Sequence, residues 1–329
     1  VLIVHPHLHR RRTGVTAHVE SVVRAQPGAV AYEHPSMGRV LDAALPRTGL
    51  RDVLRTAEPV AWHAHRNGEL ALGLLLRLLR RHLKVIWTRH AATPPSGMTR
   101  LLARFADAVV ALTPEVARLL PVPSNVVGHG VDLQRFQPPV HRAASWNALD
   151  VGGRYGLGVV GRVRPAKGQQ TLAEALRTFE TWPGEWLGVL VGRVQPADRS
   201  FAEGLAAPYL KLVGEQQDVT PWYRGLSILV QPSYSEGFGL TVVEGMASAC
   251  CVVASRIADV PSLIEHGRTG FLFAPGDAKE LGALLEPLLR EPARAEAIGR
   301  AAAEEARFRF SIEREAEALV AVYRRALGD

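Results

Sequence analysis

Short apolar runs recur along the chain at spacings that leave room for a helix between them. Residues 1–4 (Val-Leu-Ile-Val), 60–62, 85–87 and 108–112 place apolar residues on both faces of any strand they form. This predicts strands of a parallel sheet covered on both sides. Between them, 15–24 and the apolar and basic stretch 70–82 read as helices, and Thr113-Pro114-Glu115 reads as a helix start with proline at the first helical position. The pattern restarts with strands at 157–160, 187–191, 226–230, 251–254 and 270–273, a helix at 169–179 and a helical tail over 278–327. Alternation of this kind predicts two similar doubly wound α/β domains in tandem. Between the halves, 137–153 holds Pro138-Pro139 and Gly152-Gly153 with little periodicity. The expected layout is an N-terminal domain over 1–140, a linker over 141–153, a C-terminal domain over 154–310, and a last helix over 311–329 that packs back on the first domain. Ligands of such sheets sit at the carboxyl ends of the strands, here expected in the cleft between domains.

Composition narrows the function classes. With 329 residues, 47% hydrophobic and 22% charged, the chain is neither disordered nor collagen-like. The longest nearly apolar run, 70–79, is interrupted by Arg77 and falls short of the roughly 20 residues a bilayer requires. No signal-peptide pattern opens the chain, since residues 1–4 are followed at once by histidine and arginine. Cys250 and Cys251 are adjacent and do not pair with each other, which suits a reducing cytoplasm. The net charge of +7 is uneven: residues 1–145 hold 19 lysines and arginines against 9 acids, and residues 146–329 hold 20 against 23. The basic half suits nucleic acid, an anionic membrane surface or an acidic substrate, or is a solvated arginine-rich surface. The chain has no helix-turn-helix signature, zinc-finger spacing or RNP-type aromatic strand, and is only 6% aromatic, so nucleic acid is not expected as a partner.

The most informative stretch is Ser235-Glu236-Gly237-Phe238-Gly239-Leu240-Thr241-Val242-Val243-Glu244, after a strand and opening a helix. Its glycines leave backbone N–H groups exposed at a helix N-terminus, a cradle for phosphate. Glu236 in the loop and Glu244 in the first turn would flank that cradle and hydrogen-bond hydroxyls at opposite ends of a ligand. Thr241 and Glu244 equally fit a capping box, which would return Glu244 to the helix backbone. Arg162 and Lys167, in Gly161-Arg162-Val163-Arg164-Pro165-Ala166-Lys167-Gly168, stand between a strand end and a helix, where two cations suit a departing diphosphate. Two solvated loop cations are the alternative.

Arg10-Arg11-Arg12-Thr13-Gly14-Val15-Thr16 joins the first strand and helix, with Gly14 allowing close backbone approach to a ligand. Neither this loop nor Gly153-x-x-Gly156-x-Gly158 is a GxGxxG fingerprint, which argues against a dehydrogenase. His5, His7 and His9 alternate, as do His63 and His65; a metal site is conceivable there, but they read as strand-end histidines near the cleft. His90, after the strand at 85–87, is the better candidate for a substrate contact. No Asp-x-Asp occurs, so no carboxylate pair stands ready to hold Mg²⁺ or Mn²⁺ against a diphosphate, and no metal is expected.

These residues resemble a known family. Glu236 to Glu244 resembles the E-x7-E motif of retaining glycosyltransferases of family four, which have the GT-B fold. Gly161 to Gly168 is similar to that family's G-R-x-x-x-x-K-G stretch. His266-Gly267-Arg268-Thr269-Gly270-Phe271-Leu272 resembles its D/H-G-x-T-G-x-L turn, and His129-Gly130-Val131-Asp132 with Phe136 its N-G-V-D-x-x-x-F stretch. The four motifs occur in order over nearly the whole chain. Arg11 to Thr16, Trp62-His63-Ala64-His65-Arg66-Asn67 and Gly130 to Pro139 look, more narrowly, like lipopolysaccharide core mannosyltransferases. The chain departs from the family in having Gly14-Val15 where many members have two glycines, Cys251 where proline is usual and Ser262 where glutamate is usual.

The resemblance implies two Rossmann-like domains facing across a cleft, the first for the acceptor and the second for a nucleotide-sugar donor. It implies transfer of a hexose with retention, best read as mannose from GDP-mannose, to an anionic lipid-linked or lipopolysaccharide core acceptor at the inner face of the cytoplasmic membrane. In this scheme Arg162 and Lys167 neutralise the diphosphate without a metal. Backbone N–H groups of Gly237, Phe238, Gly239, Leu240 and Thr241 hold the sugar and distal phosphate. Glu236 binds sugar hydroxyls, Glu244 binds the ribose, Gly14 lets the first loop close on the phosphates, and His90 contacts the sugar. A UDP-hexose or UDP-N-acetylhexosamine donor would use the same motifs, and a sugar-nucleotide epimerase or a basic nucleic-acid-binding protein are the more distant alternatives. The helix expected from residue 70 onward, with Arg77, Arg80, Arg81 and Lys84, is a candidate for peripheral contact with anionic lipid, or its apolar side is simply domain core.

Overall fold

The alternation of strand and helix is realised twice in the computed structural model, which describes every residue except Arg12, Glu180, Thr181, Pro208 and Asp329. The chain divides into two units, Val1–Gly130 with Ser311–Asp329, and Val131–Phe310.

The first unit is built on strands β1 (Leu2–His7), β2 (Ala29–Glu33), β3 (Val60–Ala64), β4 (Leu83–Arg89), β5 (Ala108–Ala111) and β6 (Asn125–Val126). All are parallel, in the order β2-β1-β3-β4-β5-β6. Successive residues alternate across the sheet. Ile3, Ala61, Ile86 and Val110 pack on one side with Val22, Ile312, Leu319 and Val322, from the first and last helices of the chain. Val4, Trp62, Trp87 and Val109 pack on the other with Leu70, Leu76 and Ala103. Burial of both faces is why these strands are continuous apolar runs.

The helix over Trp62 runs Asn67–Leu79, three residues earlier than the sequence suggests, and a Cβ on its Gly73 would lie 2.4 Å from the indole. Part of it is therefore core, with Leu70 and Leu76 buried. Lys84 is not on this helix but in β4, 3.4 Å from Asp107. Arg77 is tied to Asp107 and to Phe105 O, and Arg80 to Val53 O and Glu58 O. Of the four cations expected on a lipid-facing helix, only Arg81 is neither in a strand nor bonded in this way among the described residues.

The second unit contains β7 (Tyr155–Val160), β8 (Trp186–Val191), β9 (Leu210–Gly214), β10 (Leu226–Gln231), β11 (Cys251–Ser255) and β12 (Phe271–Phe273), parallel in the order β12-β11-β10-β7-β8-β9. The chain winds outward from β7 to β9, returns to β10 beside β7, and winds the other way. The switch point, where doubly wound sheets bind ligands, is thus between the carboxyl ends of β7 and β10.

The stretch expected as a linker belongs to this unit. The division falls after Gly130 rather than 140, and Arg142–Asn147 is a helix whose Trp146 is buried against Gly156; a Cβ on that glycine would meet the ring at 2.3 Å. Arg142 donates to the carbonyls of Tyr223, Arg224, Leu226, Ser248 and Ala249, the last turns and exits of two helices, Thr220–Gly225 and Leu240–Ala247. Its guanidinium so caps orphan carbonyls that a helix C-terminus leaves over.

The helical tail is three helices: Ala278–Arg290, Pro292–Arg309 and Ile312–Leu327. The first two belong to the second unit and the third to the first. Within the second unit its two ends are adjacent, Val131 N donating to Phe310 O at 2.8 Å. Cys250 and Cys251 are free, buried and in the core, where loss of solvent raises both thiols' pKa.

Candidate active site

Two loops meet at the switch point of the second unit. The first leaves β7 through Gly161, makes a short 3-10 turn over Pro165–Lys167, and enters the helix Gln169–Arg177 through Gly168. Gly168 is left-handed (φ +67°), and a Cβ there would lie 1.8 Å from Pro232 O, just after β10. Only glycine lets the two backbones approach this closely. Tyr234 N donates to Ala166 O at 3.1 Å, completing the join. The second loop runs from β10 to the helix Leu240–Ala247, entering through left-handed Gly239 (φ +97°).

This join brings Lys167 to Glu236. Lys167 Nζ lies 2.6 Å from Glu236 Oε1, with both side chains largely buried. Ser233 Oγ donates to the same oxygen at 2.7 Å, and Gln231 Nε2 donates to it as well. Three donors on one oxygen fix the carboxylate, with its second oxygen outside these bonds. Asp198 holds Arg162, the other predicted cation, through Nη2 at 2.8 Å. The buried Nε of Arg162 has no hydrogen-bond partner. A buried N–H on a cation without an acceptor is costly, and it is available to an anion that reaches it.

Gly237 to Thr241 lie at the start of the helix Leu240–Ala247, whose Ncap is Gly239 without a side-chain cap. The first N–H groups of a helix have no carbonyl within it to bond, and its dipole favours an anion there. Phe238 is buried, and a Cβ on Gly239 would crowd Leu263 and Val260, so the turn is packed from beneath. Glu244 is the fifth helical residue rather than one of the first turn, and the capping box is not formed. Glu244 Oε2 instead accepts from Tyr223 OH at 2.6 Å. Burial and the nearby Glu244 carboxylate push the Tyr223 phenol far above its usual range, so it remains a donor. Its ring stacks edge-on against Phe136 of the His129–Phe136 motif, at 5.3 Å between centroids.

The other predicted residues are in the first unit. Gly14 is the first residue of the helix Gly14–Ala25, behind a Thr13–Thr16 capping box, and a Cβ there would point into open space. Of the arginine cluster before it, Arg10 and Arg11 are exposed and Arg12 lies outside the described residues. His90 follows β4, but both its ring nitrogens are occupied, Nε2 by His65 Nδ1 and Nδ1 by His129 Nε2, each at 3.1 Å. It can meet a sugar only by giving up one of those bonds. Burial, with like charges close by, holds His65 and His90 well below the usual histidine range, so both are neutral.

Sequence reasoning missed Asp198, Ser233, Gln231 and Tyr223, which position the predicted residues. Asp198 had a faint signal: it follows Gly192-Arg193-Val194-Gln195-Pro196, which repeats the Gly-Arg-Val-x-Pro pattern of Gly161 to Pro165 at the next strand end. The others needed the fold.

Residues 154–291, the segment carrying this constellation, match the family model "Glycosyl transferases group 1". The lipopolysaccharide core biosynthesis mannosyltransferase LpcC of Rhizobium leguminosarum bv. viciae is 37% identical over 100% of this chain and 97% of its own length. The chain belongs to the group 1 glycosyl transferases. The lipopolysaccharide core biosynthesis mannosyltransferase LpsB of Rhizobium meliloti (strain 1021) is 30% identical over 98% of this glycosyltransferase and 97% of its own chain. Its fold matches the crystal structure of Anabaena HepE in complex with UDP and glucose, with a TM-score of 0.83, 19% identity and 98% of each chain covered. Two doubly wound parallel α/β units are the expected GT-B class of fold.

Proposed function

We propose that this glycosyltransferase moves mannose from GDP-mannose, with retention, to a lipopolysaccharide core acceptor. The observation that carries the reading is the join at the switch point, which sets Lys167 against Glu236 beside Arg162 and an uncapped helix N-terminus. The two full-length relatives named as core mannosyltransferases support the sugar and the acceptor class. As the sugar–phosphate bond breaks, negative charge grows on the diphosphate. Lys167 and the free Nε of Arg162 meet that charge more strongly in the transition state than in the ground state. The helix N–H groups of 237–241 hold the distal phosphate, the unengaged oxygen of Glu236 accepts from sugar hydroxyls, and Glu244, oriented by Tyr223, accepts from ribose hydroxyls. The acceptor hydroxyl attacks on the face the nucleotide leaves and passes its proton to the departing phosphate. No step is assigned to a metal, the cations being side chains.

Thermal melting with GDP, UDP, ADP and their hexose conjugates tests the donor. At about 100 times its dissociation constant a ligand stabilises by roughly 2.7 kcal/mol, which a melt resolves. A stabilisation by GDP and GDP-mannose alone is expected, and the shift on adding nucleotide should be the same with and without EDTA. A response to UDP conjugates alone would replace mannose by a UDP-linked sugar, and no response to any nucleotide would remove the donor site.

The same reading includes contact with anionic membrane through the first unit. Among the described residues, no helix is long and apolar enough to cross a membrane. The helix Asn67–Leu79 nevertheless exposes Leu75, Leu78 and Leu79, and the adjoining Gly97–Ala103 exposes Met98 and Leu101, with Phe105 beyond. Leu78 is 78% exposed and Met98 66%, and the bond from Arg77 to Phe105 O holds the two helices side by side. Exposed Arg81, Arg100 and Arg104 flank these residues. An apolar strip with a basic edge suits insertion among anionic headgroups. Leu78→Glu with Leu79→Glu should cut cosedimentation with phosphatidylglycerol vesicles at least tenfold and leave melting temperature unchanged; equal sedimentation would exclude this surface.

A further inference from the structure

Five histidines buried within the first unit, His5, His18, His63, His65 and His129, form one network with half-buried His90, and Glu315 of the last helix is its carboxylate neighbour. Among the described residues, two groups of three have ligand atoms within 4.8 Å of one another, His5 with His63 and His65, and His18 with His129 and Glu315. They are not equivalent. In the first, both nitrogens of His5 are engaged, by His65 and Gln26, and both of His63, by Tyr323 and Thr88, and no carboxylate is present to offset a dication. In the second, Glu315 Oε1 lies 2.9 Å from His18 Nε2 and 3.3 Å from His129 Nδ1. Ligand atoms on a tetrahedral zinc ion are about 3.3 Å apart, close to these separations. The ligands also have outer partners: Glu315 Oε2 accepts from Gly130 N at 2.6 Å, and His129 Nε2 bonds His90.

The direction of the hydrogen bonds separates the two groups further. Gln26 is assigned with Nε2 donating to Tyr323 OH, which turns Oε1 toward His5 Nε2 at 2.9 Å. His5 then donates through Nε2, so its Nδ1 accepts from His65 Nε2. His65 Nδ1 accepts from His90 Nε2, and His90 Nδ1 from His129 Nε2. Four neutral imidazoles supply these four protons and no more. His129 Nδ1 is left presenting a lone pair to Glu315 Oε1, one acceptor facing another. A cation between them, a proton or a metal ion, would meet both lone pairs, and His18 Nε2 is placed to share it. Turning the Gln26 amide over reverses each bond and returns a proton to His129 Nδ1, giving the metal-free form of the same network.

We propose that His18 Nε2, His129 Nδ1 and a carboxylate oxygen of Glu315 bind one transition-metal dication of the zinc type, leaving one coordination position for a small ligand. Its ligands come from the first helix, the segment after β6 and the last helix. Its consequence is structural: the ion would fasten the returning last helix to the rest of the first unit.

The untagged full chain, stripped with EDTA, dialysed against zinc chloride and desalted, is expected to retain about one zinc per chain and to melt higher than the stripped protein. Loaded with cobalt(II), it should show visible ligand-field bands that are lost in Glu315→Gln and kept in His63→Gln. Folded wild-type protein that retains no zinc would overturn the site, which keeps the test decisive if a variant fails to fold. Bands that survive in Glu315→Gln and vanish in His63→Gln would overturn it in favour of the other histidines.

Discussion

Lys167→Ala is expected to lower kcat for glycosyl transfer by about 10²–10³-fold, the usual cost of deleting one preorganised group aimed at charge that develops in the transition state. Glu236→Ala should lose activity on the same scale, by a different route. Lys167 stands on a turn locked by Gly168 against Pro232, and Glu236 on the loop that begins with Pro232. Each side chain holds the other at 2.6 Å. Removing the carboxylate deletes the acceptor proposed for sugar hydroxyls and frees the ammonium from its place; removing the ammonium deletes a charge and leaves Glu236 to Ser233 and Gln231. Because the two act as a bonded pair, the double variant should cost far less than the product of the singles. Both variants should still fold, because the close approach of Gly168 to Pro232 and the bond from Tyr234 N to Ala166 O join the two loops without either side chain. Steady-state kinetics with GDP-mannose and a core acceptor measure the effect, and near-normal rates for both single variants would remove the assignment of these residues.

Arg142→Ala should destabilise the second unit by about 3 kcal/mol and lower its melting temperature by roughly 6–12 °C. The guanidinium reaches five carbonyl oxygens from two helix ends, and alanine leaves them partly buried without a charged donor. Arg142→Lys should recover only part of the loss, since an ammonium cannot span both helix ends as a planar fork does. Equilibrium unfolding followed by the fluorescence of buried Trp146 measures this; a midpoint equal to wild type would mean that the segment contributes no more than a tether.

That segment shows where sequence reading fails. Pro138-Pro139 and Gly152-Gly153 punctuate both ends of a helix of only six residues, too short to display a period, and its clue was the single Trp146. Edge strands were lost for a related reason. β6 has two residues, and β9 is largely unburied, so neither carries a run of apolar residues. β2 was missed although it pairs with β1 and is mostly buried, because alanines and a terminal glutamate dilute its signal. The central strands were legible because burial on both faces writes them as apolar runs. At the candidate site, glycines and charges at strand ends were legible because each group falls within one short contiguous motif. Their positioning partners were not, since Asp198 and Tyr223 lie 36 and 21 positions from the residues they hold. The histidine cluster was hidden more completely, with His18 and Glu315 separated by 297 positions and joined only by the return of the last helix.

The hydrogen bond between Val131 and Phe310 gives the gene a seam. The second unit is an uninterrupted insert whose two ends emerge side by side, so one cassette spanning 131–310 can be lifted out with a single short splice or exchanged at two adjoining junctions. Expressed alone, it should fold and keep its response to nucleotides, since its sheet, its switch point and Arg142 all travel with it. If the proposed donor site is right, exchange of this cassette among relatives should change which sugar is delivered without redesigning the rest of the chain, a route by which one lineage of such enzymes could diversify its saccharides.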